Sequence, residues 1–571
     1  MRATFAIAGF LLLLMLTLLG VLLTREPMMQ SAPPQLLTEP FLQLPTANSV
    51  RVVWMTEFAG SQHKVAYGEG LQQTAIASTT KLSRTREDRD SRVGAQTQTG
   101  QIYQETKLRE IWRHEAEVTG LTPGMRVPYR VSSVREDGMT VNSGEYTLAS
   151  LPQPGMPLKI LLTSDHQLKP MTAANLQKVV ETVGRVDGVF LAGDLVNIPD
   201  RASEWFDDNR GAAFFPCLQG RANYEIAKTV YRGGAIGQNA PIFPAIGNHE
   251  VMGRYASGST LGEEFDNSIP RAIAKKLYAK KAEQTEQWLK DNSFNTNTYE
   301  EIFTLPQTSP GGKTYYAITF GDVRLVVLYV TNMWRTYDLS PEVRGRYQEP
   351  QQDLNSPQKW GYGQLIFGEI AKGSPQYNWL AGELKSQEFQ QAKYKIVMFH
   401  HPPHSLGDNV VPAYTDPVAI ADSKAVRYKY PRASDYIIRD VVPLLEAAGV
   451  QLVFYGHSHL WNRFISNSGT HFLETSNVGN TYGAAWGSKA RKVPPGNDED
   501  YVATGDPNGL QPVVPTIAPL LGEDGKPQPY IASNDITVFS IFDTVTGTVS
   551  SYRFDTLSPD SEVVKFDEFA L

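Results

Sequence analysis

Cysteine is almost missing from this 571-residue chain. Cys217 is the only one, so neither an intramolecular disulfide framework nor a thiolate metal cluster can form. Any metal must then sit on His, Asp, Glu, Asn, Gln or Tyr side chains. An excess of positive charge is missing too. Fifty-three Lys and Arg against sixty Asp and Glu leave a formal charge of -7, which is no footprint for a phosphate backbone, and nucleic-acid binding is not expected. Core-forming material, by contrast, is plentiful. With 41% hydrophobic and 10% aromatic residues, a chain of this length builds two or three domains rather than a small module.

Long uncharged apolar runs occur once. Residues 5–23, FAIAGFLLLLMLTLLGVLL, lie between Arg2 and the pair Arg25-Glu26 and are long enough to cross a bilayer as a helix. Their exit, Val21-Leu22-Leu23-Thr24-Arg25, lacks the small residues of a cleavage site. Residues 1–30 are therefore expected to be a signal anchor, with a cleaved signal peptide as the alternative. Arg2 on the inner side favours export of the bulk of the chain. The expected localisation is periplasmic or extracellular, with the membrane as a partner of residues 5–23.

Between about Leu37 and Ser150 apolar residues alternate with period two, as in Val50, Val52 and Trp54, the pattern of half-buried strands. Further strands are predicted over His63 to Tyr67, Arg113 to Val118, Val127 to Val134 and Gly144 to Ala149. Turns such as Thr122-Pro123-Gly124 and Glu136-Asp137-Gly138 separate them. Residues 36–152 are thus expected to form an all-β sandwich. Gly120-Leu121-Thr122-Pro123-Gly124 leading into Tyr129-Arg130-Val131 resembles a corner of fibronectin type III domains. The mixed-charge stretch Thr79 to Gln101 reads as a solvated insertion.

From residue 156 to 571 the pattern changes to short continuous apolar runs between helix-like stretches, as expected of an α/β core buried on both faces. Five of these runs end in potential ligands. Leu158 to Leu162 leads to Ser164-Asp165-His166-Gln167, Val186 to Ala192 to Gly193-Asp194, and Pro241 to Ile246 to Gly247-Asn248-His249-Glu250. Tyr394 to Phe399 leads to His400-His401-Pro402-Pro403-His404, and Val450 to Tyr455 to Gly456-His457-Ser458-His459. Ligands of open α/β sheets bind beyond the carboxyl ends of the strands, so the five loops can converge. Two metals about 3.5 to 4 Å apart need a shared carboxylate and several N and O donors, and these loops carry that set. Singly, each motif is ordinary, since an Asp after a strand commonly caps a turn. Jointly, six of the ten histidines fall in three of the five motifs, which chance placement does not explain.

In this order the motifs resemble the calcineurin-like metallophosphoesterase superfamily. With a β-sandwich in front, and Tyr299 to Pro306 before Tyr315-Tyr316-Ala317-Ile318, the chain is most similar to the purple acid phosphatase branch. The resemblance spans about residues 37 to 480. It implies a catalytic domain of two β-sheets flanked by helices, two divalent or trivalent metal ions (Fe, Mn or Zn), and a phosphate-ester substrate. It makes Asp194 the bridging carboxylate, with Asp165 and His459 on the first metal and Asn248, His400 and His457 on the second. His249 would contact the phosphoryl oxygen or protonate the leaving group. His401 and His404 are candidates for substrate contact or for hydrogen bonds that orient the ligands. The implied reaction is in-line attack of a metal-activated hydroxide on phosphorus, without a covalent intermediate.

Two positions depart from the pattern. Purple acid phosphatases carry a tyrosine three residues after the bridging Asp, where this chain has Asn197. Without a phenolate there is no tyrosinate-to-iron charge transfer, and the protein is expected to be colourless or not tied to Fe(III). The wider superfamily has Asp-x-His where Asp165-His166-Gln167 stands. Gln167 is expected either to ligate the first metal through its amide oxygen or to line the site, and His166, pointing the other way, to be structural. The expected function is that of an exported phosphomonoesterase. A phosphodiesterase or nucleotide-cleaving enzyme is the alternative, and an inactive surface protein is disfavoured by the intact ligand set. Elsewhere, Ala274 to Asp291 is predicted as an amphipathic surface helix and Ser434 to Ala448 as a core-packing helix. Ile536 to Phe542 and Thr548 to Phe554 are predicted as a C-terminal hairpin completing a sheet.

Overall fold

The computed structural model describes residues 35–571 except 94–102, 332–367, 408–417, 491–508 and short stretches within 270–283 and 422–431. Leu36–Leu571 forms one compact unit. The apolar run 5–23 lies outside the described residues, and among those described no helix is long and apolar enough to cross a membrane.

The alternating strand Val50–Thr56 pairs antiparallel with Trp112–Val118, Val50 opposite Val118 and Thr56 opposite Trp112. Phe41–Gln43 and Ser78–Lys81 flank this pair in a four-stranded sheet. A second sheet runs Thr140–Asn142, Val127–Val134, Gln62–Tyr67, Gln73–Ile76, and Tyr146–Leu148 also pairs with Val127–Val134. Val52, Trp54, Val65, Ala116, Tyr129 and Val131 pack in one core between them. The predicted strand Gly144 to Ala149 shortens to Tyr146–Leu148, because the Gly144 N–H is taken by the Glu39 carboxylate at 3.2 Å instead of by a neighbouring strand.

The charged stretch after Lys81 departs from the solvated insertion its composition suggests. Thr85, Arg86, Glu87 and Asp88 are buried. Their charges are matched from far along the chain: Arg84 and Arg86 reach Asp200 at 3.1 and 2.8 Å, Arg86 reaches Glu264 at 2.6 Å, and Arg109 reaches Asp207 at 2.7 Å. Such charges stay buried only when paired and hydrogen-bonded. Composition within a window cannot reveal distant partners. Residues 94–101 of this stretch lie outside the described ones.

Beyond residue 156 two sheets face each other. In one, Lys159–Thr163, Gly188–Leu191 and Ile242–Pro244 are parallel, and Ile536–Asp543, Thr548–Asp555 and Val564–Ala570 extend it antiparallel. The C-terminal hairpin therefore completes a sheet, as its pattern predicts. In the other, Val323–Val327, Tyr394–Met398, Leu452–Tyr455 and His471–Thr475 run parallel, flanked by Tyr316–Phe320 on one edge and by Trp461–Ile465 and Tyr530–Ile531 on the other. Strands buried on both faces read as unbroken Val, Leu, Ile and Phe runs. Their inner faces meet through contacts such as Phe243 on Phe320, ring centroids 5.4 Å apart. The predicted helix Ser434 to Ala448 resolves into a π-helical turn, Ile437–Val441, running into the α-helix Val442–Ala447. Pro443 near the start of that α-helix has no N–H to continue the regular bonding, which accounts for the wider turn before it. Of Ala274 to Asp291, the described helix is Glu286–Asp291.

The N-terminal sheets enclose two stacked histidines. The rings of His63 and His114 lie 3.6 Å apart at 16°, and His114 bonds Thr56 and Thr79 at 2.8 and 2.9 Å. Burial, with the neighbouring His63, lowers His114 to about 3. The unfolded chain therefore takes up a proton between about pH 6.5 and 3 that the folded chain refuses, so stability should fall as pH drops through that window. At pH 5 the expected loss from His114 is about 2 kcal/mol. His114→Gln should flatten the dependence, and urea melts at pH 7.5 and 5 measure it; equal slopes for both proteins would refute the assignment.

Candidate metal centre

Every one of the five predicted strand ends delivers its loop to the same place. Asp165 follows Lys159–Thr163, Asp194 follows Gly188–Leu191, Asn248 and His249 follow Ile242–Pro244, His400 follows Tyr394–Met398, and His457 and His459 follow Leu452–Tyr455. The chain bends sharply at these points. Asp165, Gln167, Asp194, His457 and His459 have φ of 59, 33, 57, 84 and 54°, a left-handed conformation disfavoured for residues with a Cβ. Glycines stand where a side chain would strike the ligands. A Cβ on Gly247 would lie 2.2 Å from Asp194 Oδ1, and one on Gly456 would lie 2.3 Å from Asp165 Oδ2.

Two groups of potential ligand atoms result. Asp165, Asp194 and His459 form one, and His400, His401 and His457 form the other, each with its ligand atoms within 4.8 Å of one another. His400 Nε2 lies 3.2 Å from Asp194 Oδ2 and 3.1 Å from Asn248 Oδ1, so Asp194 and Asn248 sit where the groups meet. Backbone carbonyls orient the rings. His400 Nδ1 donates to Ala192 at 2.8 Å, His459 Nδ1 to Asn480 at 2.9 Å, and His249 Nδ1 to Asn197 at 2.6 Å; the Nε2 atoms of His400 and His459 then lie 3.2 and 3.5 Å from Asp194 and Asp165. Burial alone would push the Asp194 carboxyl up, but His400 and His249 outweigh it and hold it below the usual carboxylate range. Asp194 in turn raises His400 against its burial. A buried pair of carboxylates that draws a proton onto a neighbouring imidazole is a site that favours cations.

The remaining sequence candidates divide. Gln167 is buried at the centre, its Nε2 donating to Asp194 Oδ2 at 2.7 Å while its Oε1 has no hydrogen-bond partner among the described residues. An orphaned amide oxygen beside the central carboxylate fits a ligand atom facing a cation. His401 stacks on His457 with centroids 3.8 Å apart. His404 lies apart from both groups, buried with its ring 4.5 Å from that of Phe472. His166 turns away to Thr163 Oγ1 at 3.0 Å. His249 is half-buried, stacked on Phe265 at 5.2 Å, and burial lowers it to about 4.

Three residues escaped the sequence reading. Glu250 accepts the backbone N–H groups of Asp194, Leu195 and Gly247 at 2.8, 2.7 and 2.7 Å, tying two ligand loops together. Burial and the Asp194 charge push it up to about 8 although those donors favour the anion. Its place three residues after Gly247, the spacing of a capping box, was the available signal. Glu474 does the same for the His457 loop through Ser458 N at 2.8 Å and carries no sequence signal. Lys169 is 8% exposed. Among the described residues its ammonium makes no hydrogen bond or ion pair, and burial lowers its pKa against the pull of Asp165, Asp194 and Glu204.

Comparison with known proteins identifies the arrangement. The family model for calcineurin-like phosphoesterases matches residues 158–460. The chain belongs to the calcineurin-like phosphoesterase family. It is accordingly a hydrolase of phosphoric ester bonds, in a family that works through a binuclear metal centre. Among solved structures it is similar to a purple acid phosphatase from yellow lupin (Lupinus luteus) seeds, at 14% identity over 93% of this chain and 74% of that one, with a TM-score of 0.50. A structure of PhoD matches at 14% identity over 95% and 93% of the two chains, TM-score 0.42. GAP50 of Plasmodium matches at 11% identity over 72% and 89%, TM-score 0.31. No curated protein sequence matches the chain.

Proposed function

We propose that this calcineurin-like phosphoesterase is an exported phosphomonoesterase with two metal ions. Asp165, Asp194, His459 and the amide oxygen of Gln167 would hold one ion, and Asp194, Asn248, His400 and His457 the other. The meeting of two ligand groups at Asp194 carries this reading. Two bound ions would supply an activated water and neutralise charge on the phosphoryl group. His249, whose Nδ1 donates to the Asn197 carbonyl, would act through Nε2, taking up a proton beside the bound dianion and then contacting the phosphoryl oxygen or protonating the leaving group. The N-terminal two-sheet region, residues 36–152, is fibronectin type III-like and precedes a catalytic domain over 156–571. Residues 5–23 would tether the enzyme to the membrane; protease added to spheroplasts with an intact cytoplasmic membrane should degrade it, and full protection would overturn export.

Lys169 favours the monoester over the diester. Its ammonium sits in the field of Asp165, Asp194 and Glu204, and bound metals would cancel that field and leave a poorly hydrated cation for an anion to join. A dianionic monoester supplies more of the missing charge than a monoanionic diester. With Mn2+, Zn2+ or Fe2+ added, 4-nitrophenyl phosphate should therefore be hydrolysed faster than its bis-ester. Lys169→Met should lower kcat/KM for the monoester about 100-fold while changing the diester less than about threefold. Preference for the diester would overturn the monoester reading, and metal-independent hydrolysis would overturn the two-metal one.

A further inference from the structure

Both contacts that fix the His249 ring lead back to one carboxylate in the N-terminal region. The first path runs through the chain after Asp194. His249 Nδ1 donates to the Asn197 carbonyl at 2.6 Å. The Asn197 and Ile198 N–H groups donate to Glu204 Oε2 at 2.7 and 2.8 Å. Glu204 Oε1 accepts from Arg201 Nη1 at 2.9 Å, and Arg201 Nη2 donates to both oxygens of Asp88 at 3.1 and 3.0 Å. The second path runs through the face of the ring that stacks on Phe265. Phe265, stacked on His249 at 5.2 Å and 26°, ends the short helix Leu261–Phe265. The first N–H of that helix, on Leu261, donates to Asp88 Oδ2 at 2.6 Å. The neighbouring Arg86 grips Glu264 of the same helix at 2.6 Å.

Asp88, Arg201, Glu204 and Glu264 are all buried, so these bonds are little screened by water and hold their geometry. The arrangement is more than interface packing, since one carboxylate orients both the acceptor of the Nδ1 proton and the ring that limits rotation. Catalytic groups need to be held within a fraction of an ångström, and displacement by about 1 Å costs on the order of 100-fold in rate.

We propose that Asp88 is a positioning residue for the His249 imidazole, through which the N-terminal β region completes the active site. The proposal rests on the reading of His249 given above. Asp88 touches no reacting atom. Its effect should appear only in steps that need His249, and most strongly for esters whose leaving group needs a proton.

The test uses the full chain with metal bound. Asp88→Asn should keep the metal content and KM but lower kcat for phenyl phosphate about 10- to 100-fold. For 2,4-dinitrophenyl phosphate, whose leaving group needs no proton, the loss should be under about threefold. In a His249→Ala background the same substitution should change kcat by less than about twofold, because the positioned group is gone. Phe265→Leu, which keeps the apolar packing, should reproduce the leaving-group dependence in weaker form if Asp88→Asn folds poorly. A crystal structure of Asp88→Asn should show the His249 to Asn197 bond broken. Equal losses for both esters, or an unchanged effect in the His249→Ala background, would overturn the proposal. A displaced ring in Asp88→Asn together with full activity of His249→Ala would leave the positioning intact and overturn the role of His249 instead.

Discussion

Asp194→Ala should remove metal and activity together. Its two oxygens face His400 Nε2 at 3.2 Å, Gln167 Nε2 at 2.7 Å and the His249 N–H at 3.0 Å, and in the proposed site this carboxylate belongs to both ligand sets. Without it the imidazoles lose the charge that favours a cation among them. Metal content, measured after dialysis by elemental analysis, should fall from two ions per chain to less than about one, and kcat/KM should drop by about four powers of ten or more, equivalent to roughly 5 kcal/mol. Stability without metal should fall as well, since the Gln167 amide and the His249 N–H lose their acceptor and His400 its counter-charge. A variant that keeps two tightly bound ions would show that Asp194 is not the bridge.

The second large effect is expected at Glu250. Alanine there leaves three buried N–H groups, on Asp194, Leu195 and Gly247, without acceptors. Each such loss costs about 1 to 3 kcal/mol, so Glu250→Ala should destabilise the protein by about 3 kcal/mol or more. Because those amides set the loops that carry Asp194 and Asn248, metal affinity should weaken about 10- to 100-fold as well. Glu250→Gln separates the two roles. Its single oxygen can still serve Asp194 and Gly247, which share Oε2, while its amide N–H group opposes the Leu195 donor. Stability should then fall only part of the way, with metal affinity nearer that of the parent. Denaturant melts and metal competition titrations measure both; if Glu250→Ala melts with the parent, the three hydrogen bonds contribute nothing net.

The sequence carried the site unusually far because metal chemistry restricts residue type. Asp165, Asp194, Asn248, His400, His457 and His459 were singled out by one rule, polar donors after apolar runs, and the fold brings all of them together. The same rule could not weigh His404, which shares the loop after Tyr394–Met398 and yet packs against Phe472. Period-two and continuous apolar patterns placed the strands they predicted to within about two residues, since burial on one face or two dictates them locally. Where local and distant demands differ, the reading failed. Arg84, Arg86 and Asp88 have the composition of a surface loop and are held inside by Asp200, Glu264 and Arg201.

By itself, then, the sequence determined the strands that lead into the five ligand-bearing loops, those loops and the family to which they belong, because each is written in contiguous residues whose chemistry or periodicity leaves few alternatives. The tertiary structure alone decided the left-handed bends at Asp165, Asp194, His457 and His459. It alone decided the carbonyls that accept from His400, His459 and His249 and the place of Lys169 in the field of the carboxylates. It also joined Asp88 to His249 across 161 positions. Those features depend on hydrogen bonds and charges between segments far apart in the chain, and such pairings exist only once burial has removed the water that would otherwise satisfy each partner separately.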